Sequence, residues 1–314
     1  MALKSRICEI LGIEYPILLA GMGGASVPAL AAAVSNAGGL GVLGAAACSP
    51  DQLRSWIRQT RELTDKPFGV DTLLPASVRR GSAPQSGASL ENPMALLGEY
   101  QQFTRDFMER EDLPEVDAAM AMRAAGAPEM GKGGPQLFTR EFFEAQMEVV
   151  IEEKVPVYAA GLGNPGPWMD RLHSNGTRVM AVIGKVKHAQ QVVDSGIDMI
   201  VAQGHDGGGH NSPIGTFSLI PQVVDAVGDR VPVIGAGGIS DGRGVAAAMM
   251  LGALGAWVGT AFLATEEAGI ERFQKEAITD GGDAHTVVSR SLTGKPARMI
   301  RNKWAHAWVA AGKE

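Results

Sequence analysis

The chain has 314 residues, of which 45% are hydrophobic and 20% are charged, a balance that excludes an intrinsically disordered protein. Its length favours one large α/β domain over two ordinary ones, so residues 1–314 are predicted to form a single domain. The net charge is −6 and no dense basic stretch occurs, which argues against nucleic-acid binding.

Neither the cysteines nor the hydropathy point to the cell exterior or to a membrane. Cys8 and Cys48 form no CxxC motif, and the expectation is two reduced thiols. The first twelve residues lack the apolar core of a signal peptide, and no apolar run is long enough to span a bilayer. The sequence therefore predicts a soluble cytoplasmic protein.

Short apolar runs alternate with amphipathic helical segments along the chain. Runs without polar alternation are typical of parallel strands that are covered on both faces. The eight predicted strands are Tyr15–Ala20, Leu40–Leu43, Phe68–Leu73, Val155–Ala159, Arg178–Val182, Met199–Ala202, Val231–Ile234 and Ala256–Val258. Eight β-then-α units favour an α/β fold of the (β/α)8 TIM-barrel type, with an open doubly wound sheet as the alternative.

Two GxGxxG strings support that alternative weakly. The string at 39–44 runs through a strand and does not open a helix. The string at 161–166 is better placed, but the next strand ends without an acidic residue that could hold a ribose. Neither string therefore displaces the barrel prediction.

A long insertion, residues 75–138, follows the third strand. It is too long for an ordinary βα connection, and it contains a predicted helix at Pro93–Arg110. In a barrel this connection lies on the catalytic face, so the insertion is interpreted as a lid or substrate-binding segment.

The last two predicted strands end in glycine-rich turns. Gly235–Ile239 follows the seventh strand, and Gly259 and Thr260 follow the eighth. Exposed backbone N–H groups and a hydroxyl are what a phosphate needs, and barrels often bind phosphate at these two loops. The turns therefore predict a phosphate site.

The sixth strand leads into a loop with three glycines between two histidines, His205 and His210. A metal site is an alternative, because His205, Asp206 and His210 are competent ligands, but the spacing matches no zinc motif. His210 as a general acid or base is favoured, since imidazole titrates near neutral pH. No GxSxG or GxxxxGK[ST] motif occurs, which argues against hydrolases and nucleotide triphosphatases.

Taken together, these segments resemble the nitronate monooxygenase family, formerly called 2-nitropropane dioxygenases. The resemblance runs along nearly the whole chain except the insertion. The matching stretches are YPI at 15–17, AGM at 20–22, AVSNAGGLG at 33–41, PFGV at 67–70, GGGH at 207–210, GAGGISDGRG at 235–244, LGA at 251–253 and GTAFL at 259–263.

The resemblance implies an FMN-bearing barrel. It implies that the phosphate is held by Gly237, Gly238, Gly259 and Thr260. It implies further that the isoalloxazine ring is lined by Gly21, Met22 and Asp71, with Gln203, Gly208 and Gly209 nearby. His210 would face the flavin from the substrate side, and no metal is expected. Asp71 stands where many relatives carry Asn, and Val182 where some carry Lys.

The implied activity is oxidation of alkyl nitronates by oxygen to a carbonyl compound and nitrite, with His210 as the acid or base. The family also contains NAD(P)H-dependent reductases of enoyl thioesters, acyl-CoA derivatives and quinones, and the long insertion suits a bulky substrate of that kind. A non-catalytic flavin-binding protein is the third alternative. The expected partners are small molecules, and a homodimer stays open.

Overall fold

The structure, a computed structural model, describes residues 4–74, 93–114 and 139–313. Eight parallel strands form its centre, and a short strand, β7 (Gly209–His210), lies outside them in the loop after β6. The barrel strands are β1 (Ile17–Leu19), β2 (Gly41–Gly44), β3 (Phe68–Leu73), β4 (Val157–Leu162), β5 (Arg178–Ile183), β6 (Met199–Gln203), β8 (Val233–Ala236) and β9 (Ala256–Val258).

The eight strands close into a barrel. Their order is β1-β9-β8-β6-β5-β4-β3-β2, and Leu18 of β1 forms a parallel bridge with Leu40, which directly precedes β2. Two hydrogen bonds make this junction: Leu19 N–H donates to the Leu40 carbonyl at 2.9 Å, and Leu40 N–H donates to the Ile17 carbonyl at 3.0 Å. Closure confirms the (β/α)8 barrel and rules out the open doubly wound sheet.

Helices surround the strands. The first helix precedes β1, and the last helix follows all of the strands in the chain. They are α1 (Arg6–Leu11), α2 (Pro28–Asn36), α3 (Pro50–Leu63), α4 (Pro93–Arg110), α5 (Arg140–Glu152), α6 (Met169–Ser174), α7 (Val186–Val193), α8 (Thr216–Val227), α9 (Gly242–Met250), α10 (Thr260–Leu263), α11 (Arg272–Thr279) and α12 (Lys303–Ala310). Ser49 caps the start of α3, since its side chain accepts from Gln52 N–H and Pro50 takes the first helical position.

The apolar side chains divide into two layers. An outer layer between strands and helices includes Val70, Tyr158 and Ile200. An inner layer fills the barrel, with Val42, Val157, Ala159, Met180, Val201 and Trp257 among its members. Ile7, Cys8 and Leu11 of α1 belong to the inner layer, so this helix closes the amino-terminal end of the barrel. The chemistry is thereby confined to the opposite, carboxyl-terminal face.

Three strands begin two residues later than predicted, and a proline directly precedes each of them. β1 starts at Ile17 instead of Tyr15, β4 at Val157 instead of Val155, and β8 at Val233 instead of Val231. Pro156 and Pro232 lack the N–H that a strand ladder needs, although their carbonyls accept from Arg178 and Ile200. β4 also continues to Leu162, so the GxGxxG string at 161–166 begins inside a strand.

A second, three-stranded antiparallel sheet was not predicted. It consists of β7 (Gly209–His210), β10 (Thr286–Ser289) and β11 (Ala297–Ile300), with β11 in the middle. His210 pairs with Ala297, and Gly209 pairs with Arg298. The chain after the barrel therefore returns to the loop that carries His210.

The insertion contributes the predicted helix, α4 (Pro93–Arg110). Its remaining parts, residues 75–92 and 115–138, lie outside the described residues, so its role as a lid stays a prediction. α4 packs against α12 through five aromatic rings, the aromatic cluster: Tyr100, Phe103, Phe107, Trp304 and Trp308. Within the described ranges, no helix is both long and apolar enough to cross a bilayer.

Candidate active site

The residues predicted to form the site stand at the carboxyl ends of five strands. Gly21 and Met22 follow β1, Asp71 lies near the end of β3, and Gln203 ends β6. Glycines follow β6 and β8, and Gly259 with Thr260 follows β9. Because parallel strands of a barrel end on the same face, these residues share one end of the molecule.

The loops after β6, β8 and β9 meet closely enough to form a cradle. A Cβ placed on Gly208 would lie 2.7 Å from Thr260 Oγ1. A Cβ on Gly207 would lie 3.4 Å from the Gly237 Cα. Gly237 and Gly238 have φ values of +105° and +72°, a backbone conformation that other residues rarely adopt. The three loops therefore present bare backbone to one space, as an anion site requires.

The loop after β1 joins the same region. A Cβ on Gly259 would lie 3.4 Å from both Met22 Sδ and Ala20 Cβ. A Cβ on Gly21 would lie 2.2 Å from the Asp71 Cβ, so only glycine fits beside that side chain. The structure thus brings Gly21, Met22 and Asp71 next to the cradle.

His210 is held by its backbone and by its ring. Gln203 Nε2 donates to the His210 carbonyl at 2.7 Å, and β7 pairs with β11. The ring Nε2 lies 2.6 Å from Thr293 Oγ1, in the hairpin between β10 and β11. His210 stays accessible. Partial burial, and then the nearby Lys295 ammonium, lower the pKa of this imidazole. A free imidazole titrates at about 6.5, so His210 is neutral at pH 7 and able to take a proton.

The other two polar residues of this loop brace it. His205 Nδ1 donates to the Ser212 carbonyl at 2.9 Å. The Asp206 carboxylate accepts from Thr216 N–H at 2.7 Å, and that hydrogen bond is the main cause of its lowered pKa. The metal alternative gains no support, because the described part of the chain contains no group of three or more His, Cys, Asp or Glu arranged to share an ion.

Sequence reasoning missed the residues that hold the histidine loop from the far end of the chain. They are Thr293 and Lys295 beside His210, and Arg298, whose Nη2 donates to the His205 carbonyl at 3.2 Å. A signal existed, since the β-branched run Thr286–Ser289 and the turn residue Gly294 are typical of a hairpin. Nothing in the sequence placed that hairpin beside His210.

A closed (β/α)8 barrel with a glycine cradle and a histidine at its carboxyl face defines an enzyme of the TIM-barrel class. A profile of the nitronate monooxygenase family matches residues 4–309, nearly the whole chain. The chain belongs to the nitronate monooxygenase family, as the sequence resemblance predicted, and it is an oxidoreductase.

Individual relatives agree with this assignment. A protein of Mycobacterium tuberculosis that is named as a monooxygenase is 38% identical over 309 residues, covering 98% of this chain and 78% of its own. A protein of Staphylococcus saprophyticus that is named as a nitronate monooxygenase is 35% identical over 318 residues, covering 98% and 81%.

Two solved structures share this fold over nearly the whole chain. FabK from Thermotoga maritima superposes with a TM-score of 0.71 at 35% identity, covering 96% of this chain and 76% of its own. Nitroalkane oxidase from Streptomyces ansochromogenes superposes with a TM-score of 0.76 at 31% identity, covering 96% and 80%.

Proposed function

We propose that the chain is an FMN-dependent oxidoreductase of the nitronate monooxygenase type, which converts alkyl nitronates and oxygen into a carbonyl compound and nitrite. The observation that carries the proposal is the convergence of the glycine cradle, Asp71 and His210 at one end of the barrel, in a chain of this family. Family membership supports a flavin, and the glycine cradle supports one that carries a phosphate.

The residues present fit FMN by their chemistry. The cradle would hold the phosphate through Gly237, Gly238, Gly259 and the Thr260 hydroxyl. The ring would lie against Gly21, Met22 and Asp71, with Gln203, Gly208 and Gly209 alongside. The glycines offer bare backbone, Asp71, Gln203 and Thr260 offer polar groups, and Met22 offers an apolar thioether for a flat ring. A bound flavin supplies the redox chemistry, and the protein supplies binding, orientation and proton transfer.

His210 performs the proton transfer in this proposal. Its neutral imidazole takes the proton from the α-carbon of a neutral nitroalkane and so forms the nitronate inside the site. The Thr293 hydroxyl and the β7–β11 pairing fix the position of the ring. A substrate that enters as the nitronate has already lost that proton and does not need His210.

Thr260→Val tests the phosphate half of the site. It removes the hydroxyl next to Gly208 while it keeps the side-chain volume. A hydrogen bond to a charged group contributes about 1.5–3 kcal/mol, so FMN should bind about tenfold or more weakly. Riboflavin, which has the same ring but no phosphate, serves as the control, and its affinity should not change. An equal loss for both ligands, or for neither, would argue against the assignment.

An NAD(P)H-dependent reductase of an enoyl thioester or quinone is the second candidate. It is favoured by the likeness to FabK and by the length of the insertion at 75–138, which suits a bulky substrate. Steady-state assays separate the two: nitrite formed from a nitronate without a nicotinamide supports the first. Oxidation of NADH or NADPH that depends on an enoyl thioester or quinone supports the second.

A further inference from the structure

Asp71 is a carboxyl on the inner wall of an apolar barrel. On β3, Phe68 and Val70 belong to the outer layer, and side chains alternate along a strand, so Asp71 points inward. It stands in register with Gly44 of β2 and Ala159 of β4. Ala159 belongs to the inner apolar layer, so the Asp71 carboxyl lies at the edge of that layer.

Backbone encloses both carboxylate oxygens. A Cβ on Gly21 would lie 2.6 Å from Asp71 Oδ2, and a Cβ on Gly161 would lie 2.6 Å from Oδ1. Asp71 is only 6% exposed. The backbone of Gly161 supplies a hydrogen bond to the Asp71 carboxyl. This hydrogen bond replaces only part of the solvation that the carboxyl would have in water.

Among the described side chains, no cation compensates a charge at this position. Within residues 4–74, 99–114 and 139–313, no Lys, Arg or His forms an ion pair with Asp71. The titratable neighbour is Tyr158, whose phenol shares a hydrogen bond of 2.9 Å with Thr72 Oγ1, and burial raises the pKa of this phenol. Tyr158 is therefore neutral as well.

Glu153 is another shielded carboxylate, but cations surround it. The Glu153 side chain is 9% exposed, and it is bound by Arg54, Arg58 and Arg61, three arginines of α3. An unpaired carboxylate in an apolar site is costly, and the usual outcome is that it takes up a proton. The difference between Glu153 and Asp71 thus indicates different protonation states.

We propose that Asp71 is a neutral carboxylic acid at working pH, and that its O–H is the hydrogen-bond donor the site offers to an acceptor atom of the cofactor ring. This inference rests on the proposed flavin site. An ionised Asp71 could only accept hydrogen bonds, and its charge would disfavour an electron-rich ring beside it. A neutral Asp71 carries one donor and one acceptor, as an amide side chain does.

Electrostatics supports the geometry. Burial raises the pKa of Asp71 well above its usual value, and the hydrogen bond from Gly161 opposes this only in part. When the folded-state pKa of an acid is raised, the stability it contributes is complete below the unfolded pKa of about 3.9 and is lost as pH rises through the folded pKa. Between those two values the folded state keeps a proton that the unfolded state releases.

Asp71→Asn is the matched variant, because it keeps the size and the donor but cannot ionise. We expect the infrared difference spectrum of wild type minus variant, both without FMN, to show a carboxylic-acid C=O band at neutral pH. The unfolding equilibrium constant of wild type, relative to the variant, should rise about tenfold per pH unit above pH ~4 until the folded pKa is reached. Carboxylate bands and a ratio independent of pH would overturn the proposal.

FMN titrations test the donor. We expect Asp71→Asn to bind FMN within about threefold of wild type, and Asp71→Leu, which has no donor, to bind about tenfold more weakly. Equal affinities of wild type and Asp71→Leu would overturn the donor role. If wild type and both variants all fail to bind FMN, the proposed function is overturned and the donor role with it. The carboxylic-acid band still decides the protonation state of Asp71 in that case.

Discussion

In the proposed mechanism, proton transfer depends on His210, and three parts of the fold converge to place this residue. Gln203 at the end of β6 holds its carbonyl, Ala297 of β11 pairs with its backbone, and Thr293 contacts its ring. Its lowered pKa keeps the imidazole neutral at pH 7. A neutral ring in a fixed position is what a general base requires.

His210→Asn should separate the two forms of the substrate. General acid–base catalysis contributes about 10²–10⁴-fold, so turnover of a freshly dissolved neutral nitroalkane should fall by that factor. Turnover of the preformed nitronate and FMN affinity should stay near wild type. In wild type, kcat/KM for the neutral nitroalkane should decline as pH falls below a pKa lower than about 6.5, because the ring then becomes protonated. Full activity of the variant on the neutral substrate would assign His210 a structural role.

Thr293→Val should impair the same step by releasing the ring. We expect kcat/KM for the neutral nitroalkane to fall about tenfold, because a misplaced base loses most of its advantage. Thr293→Ser is the control, since it restores the hydroxyl, and it should recover the activity. If the Val and Ser variants have the same activity, the 2.6 Å contact between His210 Nε2 and Thr293 Oγ1 does not contribute to the reaction.

The sequence revealed some of these residues and not others, for a physical reason. His210 and the cradle glycines could be predicted because the chemistry of glycine-flanked loops is local. Thr293 is 83 positions away from His210, and only the pairing of β7 with β11 brings them together. The burial of Asp71 also depends on Gly21, in the loop after β1, and on Gly161 of β4.

At the scale of elements, the aromatic cluster joins the insertion to the end of the chain. Tyr100 stacks on Trp308 at 5.2 Å between ring centroids, and Phe107 meets Trp304 edge-on at 5.1 Å. Lys303 and Lys313 form ion pairs with Glu111 and Glu99 across the same interface. α4 is therefore anchored to α12.

Trp308→Ala should loosen α4 without opening the barrel. Trp308 is buried, and its loss should cost about 3 kcal/mol of local stability. Hydrogen exchange of α4 amides should quicken, while exchange of β4 to β6 should not change. Trp308→Phe keeps a ring and removes a buried indole N–H that has no hydrogen-bond partner among the described residues, so it should stay close to wild type. Unchanged exchange of α4 in the Ala variant would contradict the anchoring.

The elements themselves were largely predictable, because buried parallel strands read as unbroken apolar runs. The predicted starts of β1, β4 and β8 were too early, and Pro16, Pro156 and Pro232 directly precede these strands. The strands β10 and β11 were missed because they belong to a small sheet with partly exposed residues, where no continuous apolar run marks them. The sequence could not predict that α4 packs against α12, because the spacing of aromatic residues on a helix does not indicate which surface they contact.

At the scale of the whole molecule, the barrel brings the carboxyl ends of five strands, β1, β3, β6, β8 and β9, to the face that carries the candidate site. Its inner layer is solid apolar packing, so it forms a floor under the site and not a channel through it. On that floor stand Asp71 and the glycine cradle, with His210 at the side. We propose that this arrangement binds a flat, phosphate-bearing cofactor, with His210 on the side that receives a small substrate.

The most direct test of this account is the anaerobic mixing of the FMN-loaded protein with an alkyl nitronate, followed by flavin absorbance in a stopped-flow instrument. The account predicts that the nitronate bleaches the oxidised flavin rapidly and that NADH and NADPH do not. A flavin that keeps its colour with the nitronate and loses it with NADH or NADPH would contradict the nitronate monooxygenase assignment and establish a reductase.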